Sequence, residues 1–133
     1  MRFLIVLFAS LAMTVAAGSA YSSGDAARGK KQFSRCKACH AIEAGKNKIG
    51  PSLFAIIGRK AGADAKYKYS KSLKEAGEKG LVWGEDSLKK YLKDPTKFLK
   101  EYLKAKKVSN KMKNKFKKES LRENIIAYLA TLK

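Results

Sequence analysis

Histidine occurs once in this chain, tryptophan once, cysteine twice and proline twice, and 11 acidic residues face 30 basic ones. Each scarcity excludes something. Two cysteines and one histidine fall short of the about four ligands a zinc site needs. Two cysteines in an exported chain would ordinarily mean one disulfide, but these stand at Cys36-Lys37-Ala38-Cys39, and a bridge closing so small a loop adds little. A formal net charge of +19 repels itself, so it serves association with something negative. Nucleic acid is the first thought for such a chain. Export argues against it, as does the dominance of lysine over arginine, the usual base-reading and phosphate-clamping residue. An acidic protein surface, or more weakly an anionic membrane face, is the better partner. Long apolar runs are missing too, beyond Phe3 to Val15.

That run is short of the ~20 residues a spanning helix requires. Preceded by Met1-Arg2 and followed by the small residues Gly18-Ser19-Ala20, it has the form of a signal peptide cleaved after Ala20. An uncleaved anchor is the alternative. Cleavage leaves residues 21–133 as a single domain outside the cytoplasm, and periplasmic location is expected.

No repeat and no low-complexity linker interrupts what remains. From Asp25, residues Ala26, Gly29, Phe33 and Cys36 recur at helical spacing, which predicts a first helix. Residues 41–68 lack a sustained period and read as loop. Ser70 to Glu78 predicts a short helix ended near Gly77 or Gly80. Asp86 is the predicted cap of a helix with Leu88, Tyr91 and Leu92 on its inner face, stopped by Asp94-Pro95. Phe98, Leu99, Tyr102 and Leu103 predict one further helix. Ser120-Leu121-Arg122-Glu123 reads as a capping box opening the last, whose apolar stripe is Leu121, Ile125, Tyr128, Leu129 and Leu132. No segment is a convincing strand, so the expected class is all-α.

The chemistry lies in Cys36-Lys37-Ala38-Cys39-His40. Two thiols three apart on a helical turn can each add to one vinyl group on the same edge of a haem, and the next residue then offers an imidazole to the iron. A thioredoxin-like pair would need a βαβ setting that is missing here, and a disulfide beside a chance histidine remains open. Because His40 is the only histidine, a second protein ligand would have to be something else. Met112 is the only methionine outside the leader. A lone methionine is often core filler, yet Ser-Asn-Lys-Met-Lys-Asn-Lys is too polar a segment for a core, which favours a sulfur turned inward onto the metal. Asn110, Asn114, a neighbouring lysine or no protein ligand are the other possibilities.

With these residues in view, the chain resembles a class I cytochrome c of the long-loop bacterial type over most of residues 24–133. Gly50-Pro51-Ser52-Leu53 followed by Gly58-Arg59-Lys60, the Tyr67-Lys68-Tyr69-Ser70 turn, the Trp83 to Leu92 segment with Asp94-Pro95, and Ile125-Ile126-Ala127-Tyr128-Leu129 all match the family pattern. The resemblance implies a small fold of helices wrapped around one covalent haem c. It implies Cys36 and Cys39 as attachment points and His40 and Met112 as iron ligands. It implies that the Pro51 carbonyl fixes His40, that Arg59, Tyr69 and Trp83 surround a haem propionate, and that Tyr91 sits near the Met112 sulfur. Gly29 and Phe33 would pack against Ile125 and Tyr128. Ala55 stands where the family often has glycine, a mild change. Phe116 follows Met112 by four residues where the short type has two.

The expected function is a monomeric one-electron carrier between a quinol:cytochrome c reductase-like donor and an oxidase or photosynthetic reaction centre. A haem sensor and a peroxidase are the rivals, the latter lacking a spare histidine for acid–base work. Between Lys97 and Lys118, ten lysines face Glu101 alone. Since that stretch holds Met112, Lys111, Lys113 and Lys115 are the expected docking residues for an acidic redox partner.

Overall fold

The computed structural model describes residues 24–133. The expected leader at 1–20 lies outside them. Five α-helices run in the order α1 (Ala26–Gln32), α2 (Lys71–Glu78), α3 (Glu85–Lys93), α4 (Pro95–Leu103) and α5 (Glu119–Leu129). Among the described residues there is no strand, only an isolated antiparallel bridge between Lys60 and Val82. The fold class is all-α, as the sequence predicts.

The core begins with α1 against α5, the most extensive helix pairing in the fold. A Cβ added at Gly29 would stand 1.9 Å from the Asn124 carbonyl oxygen, so only glycine lets the two backbones approach this closely. Phe33 and Tyr128 meet edge to face at 5.5 Å between ring centroids, and Phe33 is 1% exposed. Burial of such a ring is worth about 1.5–3 kcal/mol. Asn124 ties both ends of α1. Its Oδ1 accepts from the Asp25 N–H at 2.8 Å and its Nδ2 donates to Gln32 at 3.2 Å. The other helices close the shell, α3 on α4 and α5, and α2 on α4.

Helix ends follow local chemistry, with two departures from expectation. Asp25 caps α1 by accepting from the Arg28 N–H, and Ser70 caps α2 by accepting from the Leu73 N–H. The predicted cap of α3, Asp86, lies inside its first turn. Gly84 takes the cap position, with its N–H donating to the Ser87 hydroxyl at 2.9 Å. The cause is tertiary: Trp83 exchanges backbone bonds with Gly58 and Arg59, which holds it extended and starts the helix directly after it. Asp94 ends α3 and caps α4, where Pro95 opens the helix. The predicted capping box of α5 does not form. Lys118 stands at the N-cap without a side-chain bond, and Ser120 lies within the first turn. Glu123 turns instead to Lys89 of α3 at 3.2 Å, which also holds Glu119 at 3.3 Å.

After α4 the chain runs without helix from Lys104 to Lys118 before α5. This strap crosses the face opposite the 41–70 loop, and a cavity lies between the two.

Candidate functional site

One cavity of about 730 Å³, counting the part open to solvent, is bordered by the motif, the loop and the strap. Cys36, Cys39, His40, Pro51, Tyr69, Tyr91 and Met112 all line it. Arg59 and Trp83 do not. The Arg59 guanidinium donates to the carbonyls of Ser52 and Phe54, and Trp83 is buried against Tyr91 at 4.9 Å and Phe98 at 6.3 Å between centroids.

The motif reaches the cavity because α1 tightens into a 3₁₀ turn over Phe33–Arg35. One more turn follows, with the N–H groups of Cys39 and His40 both donating to the Cys36 carbonyl at 3.1 and 2.9 Å. The two thiols thus lie on one side of a helical turn and are not joined in a disulfide. Burial chiefly, and Cys39 next, push the Cys36 thiol up to about 11, with Arg35 opposing. At neutral pH it is a protonated thiol rather than a thiolate.

His40 is held from two sides. Its Nδ1 lies 2.7 Å from the Pro51 carbonyl oxygen. That oxygen only accepts, so Nδ1 carries the proton and Nε2 keeps its lone pair for a metal. Burial holds the imidazole below its ordinary range, Lys48 adds to the depression, and the Pro51 bond opposes it. On the ring lies Gly50, where a Cβ would come within 2.3 Å of Cε1 and 2.7 Å of Nδ1. Only a bare Cα fits this space. The donor set suits a haem: paired thiols, a neutral imidazole with a free Nε2, and a thioether across the cavity.

On the facing wall, Met112 is half-buried and backed by Phe116 and Tyr91. Burial, with a smaller contribution from Tyr67, keeps the Tyr91 phenol above its ordinary range. Asn110 is 8% exposed and clasps the Met112 backbone from both sides. Its Nδ2 donates to the Met112 carbonyl at 2.6 Å, its Oδ1 accepts from the Met112 N–H at 3.3 Å, and Nδ2 also reaches the Thr96 hydroxyl at 3.3 Å. Ser109 pairs with Ser72 of α2 through bonds at 2.8 and 3.1 Å.

The three lysines expected to dock a partner are not alike. The Lys111 ammonium donates to the Lys68 carbonyl and lies 5.5 Å from the Tyr67 ring centroid. Lys115 pairs with Asp94 at 2.7 Å. Lys113 is exposed.

Sequence reading gave no role to Gly50 on the His40 ring, Asn110 as a clasp, Tyr67 or Arg122. Asn110 carried a signal, a short amide two residues before the methionine, where side-chain to backbone bonds are common. Tyr67 carried none beyond its motif. Its hydroxyl donates to the Ile49 carbonyl at 2.7 Å, fixing the cavity mouth.

The sequence and fold match known proteins. The sequence model of the family Cytochrome c matches residues 26–133. A cytochrome c2 of Cereibacter sphaeroides is 43% identical over 138 residues, covering 97% of this chain and 95% of the relative. A cytochrome c2 of Rhodovulum adriaticum is 44% identical, covering 83% and 94%. Among solved structures, cytochrome c2 from Rhodobacter sphaeroides superposes with a TM-score of 0.76 at 43% identity, covering 83% of this chain and 97% of that one.

Proposed function

Because the chain belongs to the cytochrome c family and carries electrons on one covalent haem c, we propose that Cys36 and Cys39 attach the haem, that His40 and Met112 ligate its iron, and that the protein shuttles between larger redox partners in the periplasm. The observation that carries this reading is the meeting of both thiols, the oriented imidazole and the one mature thioether in a single cavity. When bound, the haem supplies Fe(III)/Fe(II) cycling, at a potential that a His/Met pair raises.

The chain's own contribution is to hold, orient and exclude. Pro51 and Gly50 fix the ring of His40. Asn110 fixes the backbone of Met112. The cavity lining has no carboxylate and no second histidine, so it lacks the spare histidine that peroxidase acid–base work would use. We read the protein as a carrier rather than an enzyme, in keeping with its family. It works as a monomer between a quinol:cytochrome c reductase-like donor and an oxidase or reaction centre. An acidic partner surface suits the lysine-rich strap, and any attraction to anionic membrane is secondary. Lys113 is the strongest docking candidate, because Lys111 and Lys115 already hold partners within the chain.

Absorption spectra of the oxidised and reduced protein, with and without carbon monoxide, test the ligand set. A weak sulfur-to-iron charge-transfer band when oxidised and no ready carbon monoxide binding when reduced are expected; the opposite pair overturns it. For docking, the second-order electron-transfer rate should fall as salt rises. Lys113→Glu should slow it and flatten the salt slope more than Lys66→Glu or Lys74→Glu. Equal effects would reduce the docking surface to bulk charge.

A further inference from the structure

After Arg59 every basic residue in the chain is lysine except one, Arg122. It is also the buried one. Arg122 is 4% exposed, while the lysines around it on the strap and at the start of α5 are exposed. Burying a cation is costly unless it is paired, and no ion pair joins this one to a carboxylate among the described residues. It also sits near the N-terminus of α5, the end of a helix where positive charge is disfavoured. Its Nε–H meets no acceptor among the described residues. What offsets these costs is a pair of carbonyls. Nη1 donates to the Phe116 oxygen and to the Lys117 oxygen, each at 2.7 Å. Bonds from a charged donor are stronger than those between neutral groups. A guanidinium suits this burial better than an ammonium because it is less strongly hydrated.

Those carbonyls belong to the strap, four and five residues past Met112. The Phe116 peptide is thereby gripped on both sides, since its N–H donates to the Leu92 carbonyl of α3 at 2.8 Å. The Phe116 ring is buried and borders the same cavity as Met112. At its other end the strap is fixed by Ser109 on Ser72 and by Asn110 on Thr96. The methionine therefore hangs on a short span with two fixed ends. Arg122 is the only buried charge among the bonds that fix it.

We infer that Arg122 is a positioning residue for the sixth side of the cavity: it bolts the exit of the strap to α5 and so keeps Met112 and Phe116 closed over the site. This rests on Met112 as the sulfur ligand. α5 is itself packed on α1 and α3, so the bolt ties the helix-free strap to the most tightly packed part of the fold. Loosening it should raise the rate at which the sulfur leaves before it lowers the affinity of His40 for anything.

The test compares the haem-loaded wild type with Arg122→Met, Arg122→Lys and Phe33→Leu, the last weakening the α1–α5 contact away from the strap. Imidazole serves as the incoming ligand, and amide hydrogen exchange at Phe116 is read alongside global unfolding. Arg122→Met should bind imidazole at least about tenfold faster and lose protection at the Phe116 amide. Arg122→Lys should fall between it and wild type. Phe33→Leu, even with an equal loss of unfolding stability, should change neither. If Arg122→Met behaves like Phe33→Leu, the bolt is mere packing and the inference falls. Should Arg122→Met yield no folded holoprotein, Arg122→Lys against Phe33→Leu decides by the same two readouts. A wild type without the charge-transfer band would refute Met112 as ligand, while Phe116 exchange would still decide the role of Arg122.

Discussion

The two walls of the cavity are built from material at different distances along the chain. On one wall, Cys36, Cys39 and His40 fall within five residues, and the groups that orient His40, Gly50 and Pro51, follow ten and eleven residues on. On the other, Met112 hangs from a 15-residue strap pinned by Ser72, Leu92, Asp94, Thr96 and Arg122. The first wall is local in sequence. The second is a set of hydrogen bonds between segments remote in sequence, each worth only about 0.5–1.5 kcal/mol net unless charged. Motion and exchange of ligands should therefore begin on the Met112 side.

Met112→Ala is the most forceful way to break this contrast. The cavity keeps its His40 wall intact, so haem should stay attached while the potential falls and exogenous ligands gain access. Affinity for imidazole should rise by more than about tenfold, or about 1.4 kcal/mol. Unchanged affinity, with the charge-transfer band present in the mutant, would remove Met112 from the site.

Gly50→Ala attacks the other wall. A methyl group 2.3 Å from the His40 Cε1 must push the ring off the Pro51 carbonyl or lift the loop. Overpacking of this kind costs about 1–3 kcal/mol, read as a fall in the denaturation midpoint. Here the charge-transfer band should shift and global stability should drop together, because the wall is rigid. A mutant as stable as wild type would mean that the loop yields freely and the two walls do not differ as argued.

How much of each wall could be read beforehand follows the same division. That Cys36, Cys39 and His40 share the cavity was legible because they fall in one contiguous motif, and the Pro51 contact with His40 was implied by the family resemblance. Met112 was legible only as an oddity, a thioether in a polar segment. Its supports were not, because nothing in the sequence says that Ser109 meets Ser72 or that Arg122 turns inward. Arg122 and Asn124 lie outside the predicted apolar stripe of α5, yet both are buried, since α5 is covered by α1, α3 and the strap. The helix caps failed where tertiary pairing intervened, at Trp83 for α3 and at Lys89 for α5. Arg122 did leave a trace, as the one arginine in a lysine-only stretch, whose meaning depends on the fold.

Asp94 probes the strap more gently, through pH. Its carboxyl is held below the ordinary value of 3.8, first by the Lys115 ammonium and next by the Lys97 N–H it caps. A carboxylate with a depressed value contributes stability that is complete above the ordinary value and is lost as pH falls through the folded one. Wild type should therefore loosen at the strap below about pH 3.8, seen as faster imidazole binding in acid. Asp94→Asn keeps a capping side chain but loses the ion pair, so it should show near-acid behaviour already at neutral pH and a flatter acid limb. An identical acid limb in both proteins would exclude the Lys115 pair as a strap contact of any consequence.

The smallest effect sets one substitution on each wall side by side. Ala55, in the loop that follows Pro51, and Lys104, where the strap leaves α4, are the non-glycine residues with positive φ among the described residues, at 51° and 52°. Ala55 stands where the family often has glycine, a change that the sequence alone made look mild, and the backbone shows its cost. The left-handed region costs an L-residue about 1–2 kcal/mol, and glycine's larger freedom in the unfolded chain returns about 0.5–1 of that. Ala55→Gly and Lys104→Gly should each stabilise by about 0.5–1 kcal/mol. Both side chains are exposed, so neither change opens a cavity, and the Ala55 N–H keeps its 2.9 Å bond to the Leu132 carbonyl. In chemical denaturation the midpoint should rise at constant slope for both. Imidazole binding should be unaltered in both as well, because the strap is fixed between residues 109 and 117, downstream of Lys104. Should Lys104→Gly speed ligand entry while Ala55→Gly does not, the hinge of the Met112 wall would lie at the end of α4, and the anchors at Ser109 and Asn110 would lose their assigned part.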